Sequence, residues 1–229
     1  METYKVVYEI RYPKILNFRD LYKEIINPYF VYPNTKYAIS DENFHTEAIN
    51  LTFLDSNYHL VFAFDRISFQ FDGSHEELLK EGSHLGMCFD IFNKIKTAST
   101  FTRISAEILE ITVFKEINKD NTEIVNDFAK KHNIKKLFSE NLDTGIVIEG
   151  SEKTCNTRIN FGPFDKSKDI SALNLFSTDK KKELEFSLKK GIIARASLKN
   201  ETSTISKSSF KNLVDKSLKY FNQILSDYE

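Results

Sequence analysis

Two stretches of the chain, 129 positions apart, carry the same apolar pattern. The first contains Leu85, Phe89, Ile91, Phe92 and Ile95, and the second contains Val214, Leu218, Tyr220, Phe221 and Ile224. Apolar residues at this spacing form one face of an amphipathic helix. Each stretch follows a group of strand-like segments, so the pattern predicts two copies of one α+β unit, each closed by a long helix.

The first half is predicted to contain a strand, a helix, a meander and a long helix. Residues 4–12 alternate as a half-buried strand does, and Asn17 can cap a helix that ends near Asn27-Pro28. Strand-like segments follow at residues 37–40, 48–55, 58–65 and 67–71. Ser74 and Glu77 then have the spacing of a capping box, which starts a helix running to about Lys96. Gly86 lies inside that predicted helix.

The second half repeats this order. Residues 101–114 read as a strand and residues 122–132 as a helix. Strand-like segments follow at residues 144–149, 157–161, 173–176, 184–188 and 192–198, before a helix from 207 to about 228. The fold class is therefore predicted as α+β, with two tandem β-α-(antiparallel meander)-α units at residues 1–98 and 99–229. We expect them to fuse into one compact body, with outer strands of the two sheets joined so that fewer edges are exposed.

Composition limits the classes of function. The chain has 229 residues, of which 41% are hydrophobic, enough for a substantial core. Its 32 basic and 33 acidic side chains leave a net charge of -1, so no global field attracts nucleic acid or an acidic membrane. The start resembles no secretory signal and no apolar run reaches the length of about 18 residues that a membrane span needs. These features favour a cytoplasmic protein with no membrane partner.

Residue patterns that carry known chemistry are not found. The five histidines, His45, His59, His75, His84 and His132, are not spaced as metal ligands, and Cys88 and Cys155 form no metal knuckle or disulfide framework. No phosphate-binding glycine loop occurs. Glu107 and Glu110 are interpreted as the polar face of a strand. We therefore expect no catalytic residue, no metal and no cofactor.

One recurring pattern could form a ligand site. Arg66, Arg103 and Arg158 each precede an isoleucine in a strand-like segment. If those strands are neighbours, the three guanidinium groups could bind a carboxylate or a phosphate on one face of the sheet. The alternative is that each arginine lies on the solvated face and pairs with an acidic residue across strands, with no ligand.

The chain also resembles a known family over nearly its whole length. The motifs are Val-Tyr-Glu-Ile-Arg-Tyr at 7–12, Phe-Thr-Arg-Ile at 101–104, Asn-Thr-Arg-Ile-Asn-Phe-Gly-Pro at 156–163, and the closing helix through Phe221. Their order resembles a sporadically distributed, uncharacterised family of bacterial proteins of similar length. Ser105 stands where such proteins often have glycine. The resemblance implies no enzymatic activity or cofactor, and a patchy distribution of this kind implies mobile or defence-associated gene neighbourhoods.

Two hypotheses of function follow. The first is a non-catalytic cytoplasmic binding protein with a protein partner or a second copy as its ligand, acting as an accessory or neutralising component of a bacterial defence or toxin-antitoxin-like system. The second is an enzyme or a nucleic-acid-processing protein with an arginine-lined phosphate site at Arg66, Arg103 and Arg158. Convergence of those three side chains in one concave pocket would favour the second.

Overall fold

The computed structural model describes residues 1–29, 31, 34–41, 44, 46–54, 57–81, 83–99, 103–135, 144–164, 166–187, 190–201 and 204–228. The described residues form one nine-stranded antiparallel sheet with the order β2-β3-β4-β5-β1-β6-β9-β8-β7. The strands are β1 (Glu2–Arg11), β2 (Thr35–Ser40), β3 (Ala48–Phe53), β4 (Tyr58–Ala63), β5 (Arg66–Phe71), β6 (Ala106–Glu116), β7 (Ile146–Glu152), β8 (Cys155–Pro163) and β9 (Gly191–Asn200).

Helices lie on both faces of this sheet. They are α1 (Phe18–Ile26), α2 (His75–Leu79), α3 (Leu85–Ser99), α4 (Asn121–Lys131), α5 (Lys166–Leu173), α6 (Thr178–Ser187) and α7 (Lys207–Leu225), with a 3-10 turn at Asn27–Tyr29. In the described parts of the chain, no helix combines the length and the apolar character that crossing a membrane requires. The α+β class with an antiparallel sheet is thus confirmed.

The centre of the sheet is the pair β1 and β6. Side chains in a strand alternate between faces, so Val6, Tyr8 and Ile10 of β1 point to one side, where all three are fully buried. Tyr8 lies opposite Leu109 of β6 in the register. Because β1 also pairs with β5, the strands of the two halves of the chain belong to one continuous sheet.

The two long helices meet above Tyr8. Its ring contacts Phe210 of α7 at a centroid distance of 5.0 Å and Phe89 of α3 at 6.0 Å, both in edge-on geometry. Phe210 also lies 6.1 Å from Phe69 of β5. A helix from the second half of the chain therefore packs on strands from the first half, and one apolar core spans both.

The opposite face of the sheet is covered in part by α5 and α6. Phe114, Phe164, Ile170 and Leu173 form a small apolar cluster there. Lys5, although buried, donates from Nζ to the carbonyl oxygen of Leu173 at 2.7 Å, at the end of α5. A cation at the C-terminus of a helix and an anion at the N-terminus of a helix both interact favourably with the helix dipole.

The anion is Asp72, which is 1% exposed. One of its carboxylate oxygens accepts from the backbone N–H groups of Phe176 and Ser177, each at 2.9 Å, and the other accepts from Gln70 at 2.7 Å. These bonds tie the start of α6 to the end of β5. Desolvation raises the pKa of Asp72 from its usual value, against the effect of its hydrogen bonds.

Three predictions about local structure were wrong. Residues 173–176 and 184–187 belong to the α5–α6 region and are not strands, and residue 188 lies outside the described residues. Ser177 Oγ accepts from the backbone N–H of Lys180, so a side-chain cap starts α6 where the sequence pattern was read as a strand. The helix expected from 74 to 96 is divided into α2 and α3, and Ser74 accepts from the N–H of Glu76.

Two further details concern the start of β6 and the space around Gly86. The strand expected from residue 101 begins at Ala106; residues 101 and 102 lie outside the described residues. Gly86 lies in α3, inside the helix predicted to run to Lys96, and a Cβ atom built there meets nothing within 4 Å.

Substitution of Asp72 tests how α5 and α6 are held. In Asp72→Ala the N–H groups of Phe176 and Ser177 lose their acceptor, and we expect a loss of about 1–3 kcal/mol in the free energy of unfolding. Hydrogen–deuterium exchange is expected to quicken in residues 166–187 and to change little in β1 and β6. Asp20→Ala, an exposed carboxylate on α1, is the control. Unchanged exchange in residues 166–187 would show that other contacts hold this region.

Candidate functional groove

Of the three arginines singled out from the sequence, Arg66 and Arg158 lie far apart. Arg66 is on β5, where its guanidinium is 3.1 Å from Asp65 Oδ1 and 4.0 Å from Glu9 Oε2. Arg103 is exposed in the irregular segment before β6. Arg158 is on β8, and its Nη1 lies 3.3 Å from Oε1 of Glu149 on the neighbouring strand.

Three strands, β1, β6 and β9, separate β5 from β8. Adjacent strands are about 4.8 Å apart, so the strands that carry Arg66 and Arg158 are separated by about four such spacings. The structure therefore does not bring Arg66 and Arg158 into one pocket. Arg66 and Arg158 instead pair with acidic neighbours, as the alternative interpretation expects.

The histidines and cysteines make local contacts. His59 and His75 lie within hydrogen-bond distance of Thr52 and Thr3, at 2.8 Å in each pair. His84 contacts the rings of Phe53 and Tyr58, and His132 contacts Tyr228. Cys88 and Cys155 are buried and free. Within the described residues no group of three His, Cys, Asp or Glu side chains could hold a metal ion, and His45 lies outside those residues.

A large groove lies between α7 and the hairpin of β7 and β8, with a volume of about 1080 Å³. Its floor includes Ile148 of β7 and Ile159 of β8, which share the helical side of the sheet because they are paired opposite each other. Its wall includes Leu213, Tyr220 and Ile224 of α7. Their spacing places these three on one side of the helix. The groove is open to solvent along the edge of the sheet, where Ile148 is 45% exposed.

Charged side chains cluster at the hairpin end of the groove. Lys216 of α7 binds Glu152 of β7, with 2.9 Å between Nζ and Oε2. The hydrogen bond from Lys216, and then the positive charges of Lys216, Lys153 and Lys219, hold the pKa of Glu152 below its usual value. Asp215 also lines the groove. The groove is thus lined by three lysines and two carboxylates.

A row of polar side chains crosses four strands beneath this end of the groove. In the register, Glu152 lies opposite Cys155, Cys155 opposite Asn200, and Asn200 opposite Glu107. Glu107 is fully buried. It was interpreted as part of a polar strand face with Glu110. That was wrong, because an odd separation along a strand puts the two carboxylates on opposite faces.

Among the described residues, only one carboxylate oxygen of Glu107 accepts hydrogen bonds. Its Oε1 accepts from the hydroxyl of Tyr8 at 2.5 Å and from Ser209 Oγ at 2.8 Å. Its Oε2 has no hydrogen-bond partner among the described residues. Desolvation raises the pKa of Glu107 above its usual 4.5, although the hydrogen bonds from Tyr8 and Ser209 oppose the shift.

Because Glu107 is buried, we expect the stability difference between wild type and Glu107→Gln to depend on pH. A carboxyl whose pKa is raised in the folded state contributes fully below its unfolded pKa, and that contribution is lost as the pH rises through the folded pKa. Glu107→Gln keeps an acceptor for Tyr8 and Ser209 and cannot ionise. We expect its free energy of unfolding, relative to wild type, to increase from pH 4 to pH 8, because the wild-type protein loses the contribution of the protonated Glu107 as the pH rises.

Urea unfolding across that pH range measures the difference. Glu110→Gln, the same change on the same strand but on the other face, is the matched control. A Glu107→Gln difference that does not change with pH would contradict the raised pKa.

The outer edge of β7 is available for pairing. In the described part of the chain no strand lies beyond β7. Glu152 and Cys155 close a two-residue turn in which Lys153 has a φ of 54°. Such a turn joins a hydrogen-bonded pair, and these pairs alternate with non-hydrogen-bonded ones. Val147, Glu149 and Ser151 therefore direct their backbone N–H and C=O groups away from β8.

The groove was missed in the sequence, although two signals point to it. Glu107 shares the period-two face of Leu109, Ile111 and Val113, so a carboxylate on an apolar face was visible. In β7, Ile146, Val147 and Ile148 are consecutive apolar residues, which is unusual for a strand exposed on one face. Neither signal could place α7 beside the hairpin.

Comparison of the chain with protein-family models gives no match, and comparison with curated proteins gives none. The groove combines an apolar floor, a charged end and a strand edge that is unpaired in the described residues.

Proposed function

We propose that this chain is a non-catalytic binding protein and that its partner, another protein, docks in the groove between α7 and the β7–β8 hairpin. The observation that carries the proposal is the open groove of about 1080 Å³ beside a strand whose outer edge is unpaired in the described residues. An apolar surface with a charged margin is typical of protein interfaces.

The chemistry of the reactive side chains supports a binding role. Cys88 is fully buried, and desolvation raises the pKa of its thiol far above the usual range, so the nucleophilic thiolate is disfavoured. Desolvation also lowers the pKa of His59 and His84. His84 lies against the aromatic rings of Phe53 and Tyr58, a contact that suits a structural role.

The alternative, an enzyme or nucleic-acid-processing protein with an arginine-lined phosphate site, is less well supported. It requires Arg66, Arg103 and Arg158 to act together, yet β5 and β8 are separated by three strands. Arg66 and Arg158 also have carboxylate partners, which reduce their attraction for a phosphate.

We further propose that the chain contains two related units. The supporting feature is the register of β1 and β6. When Tyr8-Glu9-Ile10 is matched to Leu109-Glu110-Ile111, Tyr8 lies opposite its own counterpart, Leu109. Outward from this pair the strand orders correspond, as β1-β5-β4-β3 on one side and β6-β9-β8-β7 on the other. A two-fold relation between the units accounts for both observations.

Under this relation two rows of paired side chains correspond. In the first unit they are Val6, Phe71, Tyr58 and Phe53, and in the second they are Glu107, Asn200, Cys155 and Glu152. The first row is apolar, and the ring of His84 lies 5.3 Å from the rings of Phe53 and Tyr58. The second row is polar, and the surface above it opens into the groove. The contrast favours a binding role for the second unit.

The proposal places the protein in the cytoplasm. The narrower role, an accessory or neutralising component of a bacterial defence or toxin-antitoxin-like system, comes from the family resemblance. A homodimer is the other assembly considered, and it would use a second copy of the chain as the partner. Each of these versions requires a protein-binding surface.

Affinity capture from the native host tests the proposed function. Ile148→Lys places a charge on the apolar floor of the groove, and we expect it to lose the partner that the wild-type protein captures. Leu16→Lys makes the same change at a fully exposed position elsewhere and should keep the partner. Capture that survives Ile148→Lys would remove the groove from the binding surface.

A further inference from the structure

We infer that the partner segment is an extended peptide, apolar at alternate positions and acidic near one end, which adds to β7 as a further strand of the sheet. This inference rests on the proposed function and names the chemistry of the partner. Three features carry it: the backbone edge of β7, the apolar groove below that edge, and the charges at the hairpin end.

Among the described residues, no strand pairs with the outer edge of β7. Unpaired backbone groups along a sheet edge form a template for another extended chain. The outward groups belong to Val147, Glu149 and Ser151. The two charges on β7 do not block the approach, because Glu149 pairs with Arg158 and Glu152 pairs with Lys216 inside the same chain.

The other edge of the sheet, β2, is less suited to this role. β2 carries Lys36 as an exposed residue, and a lysine on an edge strand discourages pairing with another chain. β7 contains no lysine between Ile146 and Glu152. Its Val147 and Ile148 are 54% and 45% exposed, so an added strand would cover apolar surface that is now in contact with solvent.

Side chains of an added strand would point alternately to the two faces of the sheet. Those on the helical side would lie over the groove, next to Ile148 of β7 and within reach of Tyr220 and Ile224 of α7. These positions in the peptide are therefore expected to be apolar. At the corresponding place in the first unit, the side chain of His84 covers the hairpin of β3 and β4.

The hairpin end of the groove sets the charge of the peptide. Lys153, Lys216 and Lys219 all act on the Glu152 carboxylate, and Asp215 is the second acidic residue of the groove. Three positive charges against two negative charges leave an excess of one positive charge. A carboxylate of the peptide placed beside Lys219 would balance it, because Lys216 is engaged with Glu152.

A display library of random ten-residue peptides, selected against the immobilised full chain, tests the inference. We expect the selected peptides to alternate apolar and polar residues and to carry Asp or Glu near one end. Selection of basic or uniformly polar peptides, or failure to select any peptide, would overturn the inference.

Two pairs of variants locate the binding of a selected peptide. Ser151→Pro removes an outward N–H of β7, whereas Ser151→Ala keeps it. Lys219→Glu reverses a charge in the groove, whereas Lys211→Glu reverses an exposed charge on α7 that does not line it. We expect affinity to fall at least 10-fold in Ser151→Pro and in Lys219→Glu and to change less than 2-fold in the two controls. Equal affinities within either pair would contradict strand addition or the charge preference, respectively.

The same variants separate this inference from the proposed function. If the native partner is lost in Ile148→Lys but kept in Ser151→Pro, the groove binds a protein but not by strand addition. If sedimentation velocity shows a wild-type dimer that becomes a monomer in Ser151→Pro, the edge of β7 pairs with a second copy, and the inference of a separate peptide partner is overturned.

Discussion

Phe210→Ala is expected to lower the free energy of unfolding by about 3–5 kcal/mol, the range for removal of a buried phenylalanine ring. Phe210 is fully buried and packs edge-on against Tyr8 of β1 at 5.0 Å and near Phe69 of β5 at 6.1 Å. It belongs to α7, whereas both partner rings belong to the first half of the chain. The loss should therefore weaken both halves together.

Unfolding in urea, followed by tyrosine fluorescence and by far-ultraviolet circular dichroism, measures this effect. The two probes are expected to give coincident single transitions, because one core spans both halves. Phe186→Ala is the matched control: Phe186 is 88% exposed, and its removal should change stability by less than about 0.5 kcal/mol. Two separated transitions in wild type would contradict a shared core.

Gly191→Ala is expected to cost about 3 kcal/mol, the upper part of the range for overpacking. Gly191 begins β9 and pairs with Glu116 of β6. A Cβ atom there would lie 2.1 Å from the carbonyl oxygen of Lys115 and 2.8 Å from the ring of Phe114. Because the nearer atom belongs to the backbone, the end of the β6–β9 pair would have to open.

Gly86→Ala makes the same chemical change with the opposite expected sign. Gly86 lies in the first turn of α3 and a Cβ atom there has no neighbour within 4 Å. Replacing a helical glycine with alanine can stabilise a protein by up to about 1 kcal/mol. Thermal unfolding of the two variants beside wild type measures both effects. A Gly191→Ala variant as stable as wild type would show that the β6–β9 pair tolerates a side chain at this position.

Much of the fold could be predicted from local patterns. Ile67, Phe69 and Phe71 alternate with polar residues, and the structure places them on the buried face of β5. α7 is 19 residues long and begins at Lys207, as its apolar spacing predicts. In these elements the sequence period and the buried face agree, so local pattern and tertiary packing select the same structure.

Where tertiary contacts decide the structure, the prediction was wrong. Residues 173–176 are apolar in part and were read as a strand, yet Lys5 and Asp72 hold the end of α5 and the start of α6 in place. These two side chains are about 100 residues or more from the segment that they fix. A pattern within a short window carries no information on such partners.

The candidate site was less accessible from sequence than the fold. Arg66 and Arg158 have the same local context, but the strand order that separates β5 from β8 is not encoded in either motif. The groove depends on the placement of α7 against Ile148 and Ile159, which are more than 50 residues away along the chain. Two signals could have been recognised: Glu107, a carboxylate on an otherwise apolar strand face, and the consecutive apolar residues Ile146, Val147 and Ile148.

Hydrogen–deuterium exchange of the protein with and without its captured partner tests the central claim most directly. The claim is that a partner docks at β7 and in the groove beside α7. It predicts slower exchange on binding at the amides of Val147, Glu149 and Ser151, with little change at the β2 edge. Slower exchange confined to β2, to α5 and α6, or to the face that carries Arg66 would contradict it.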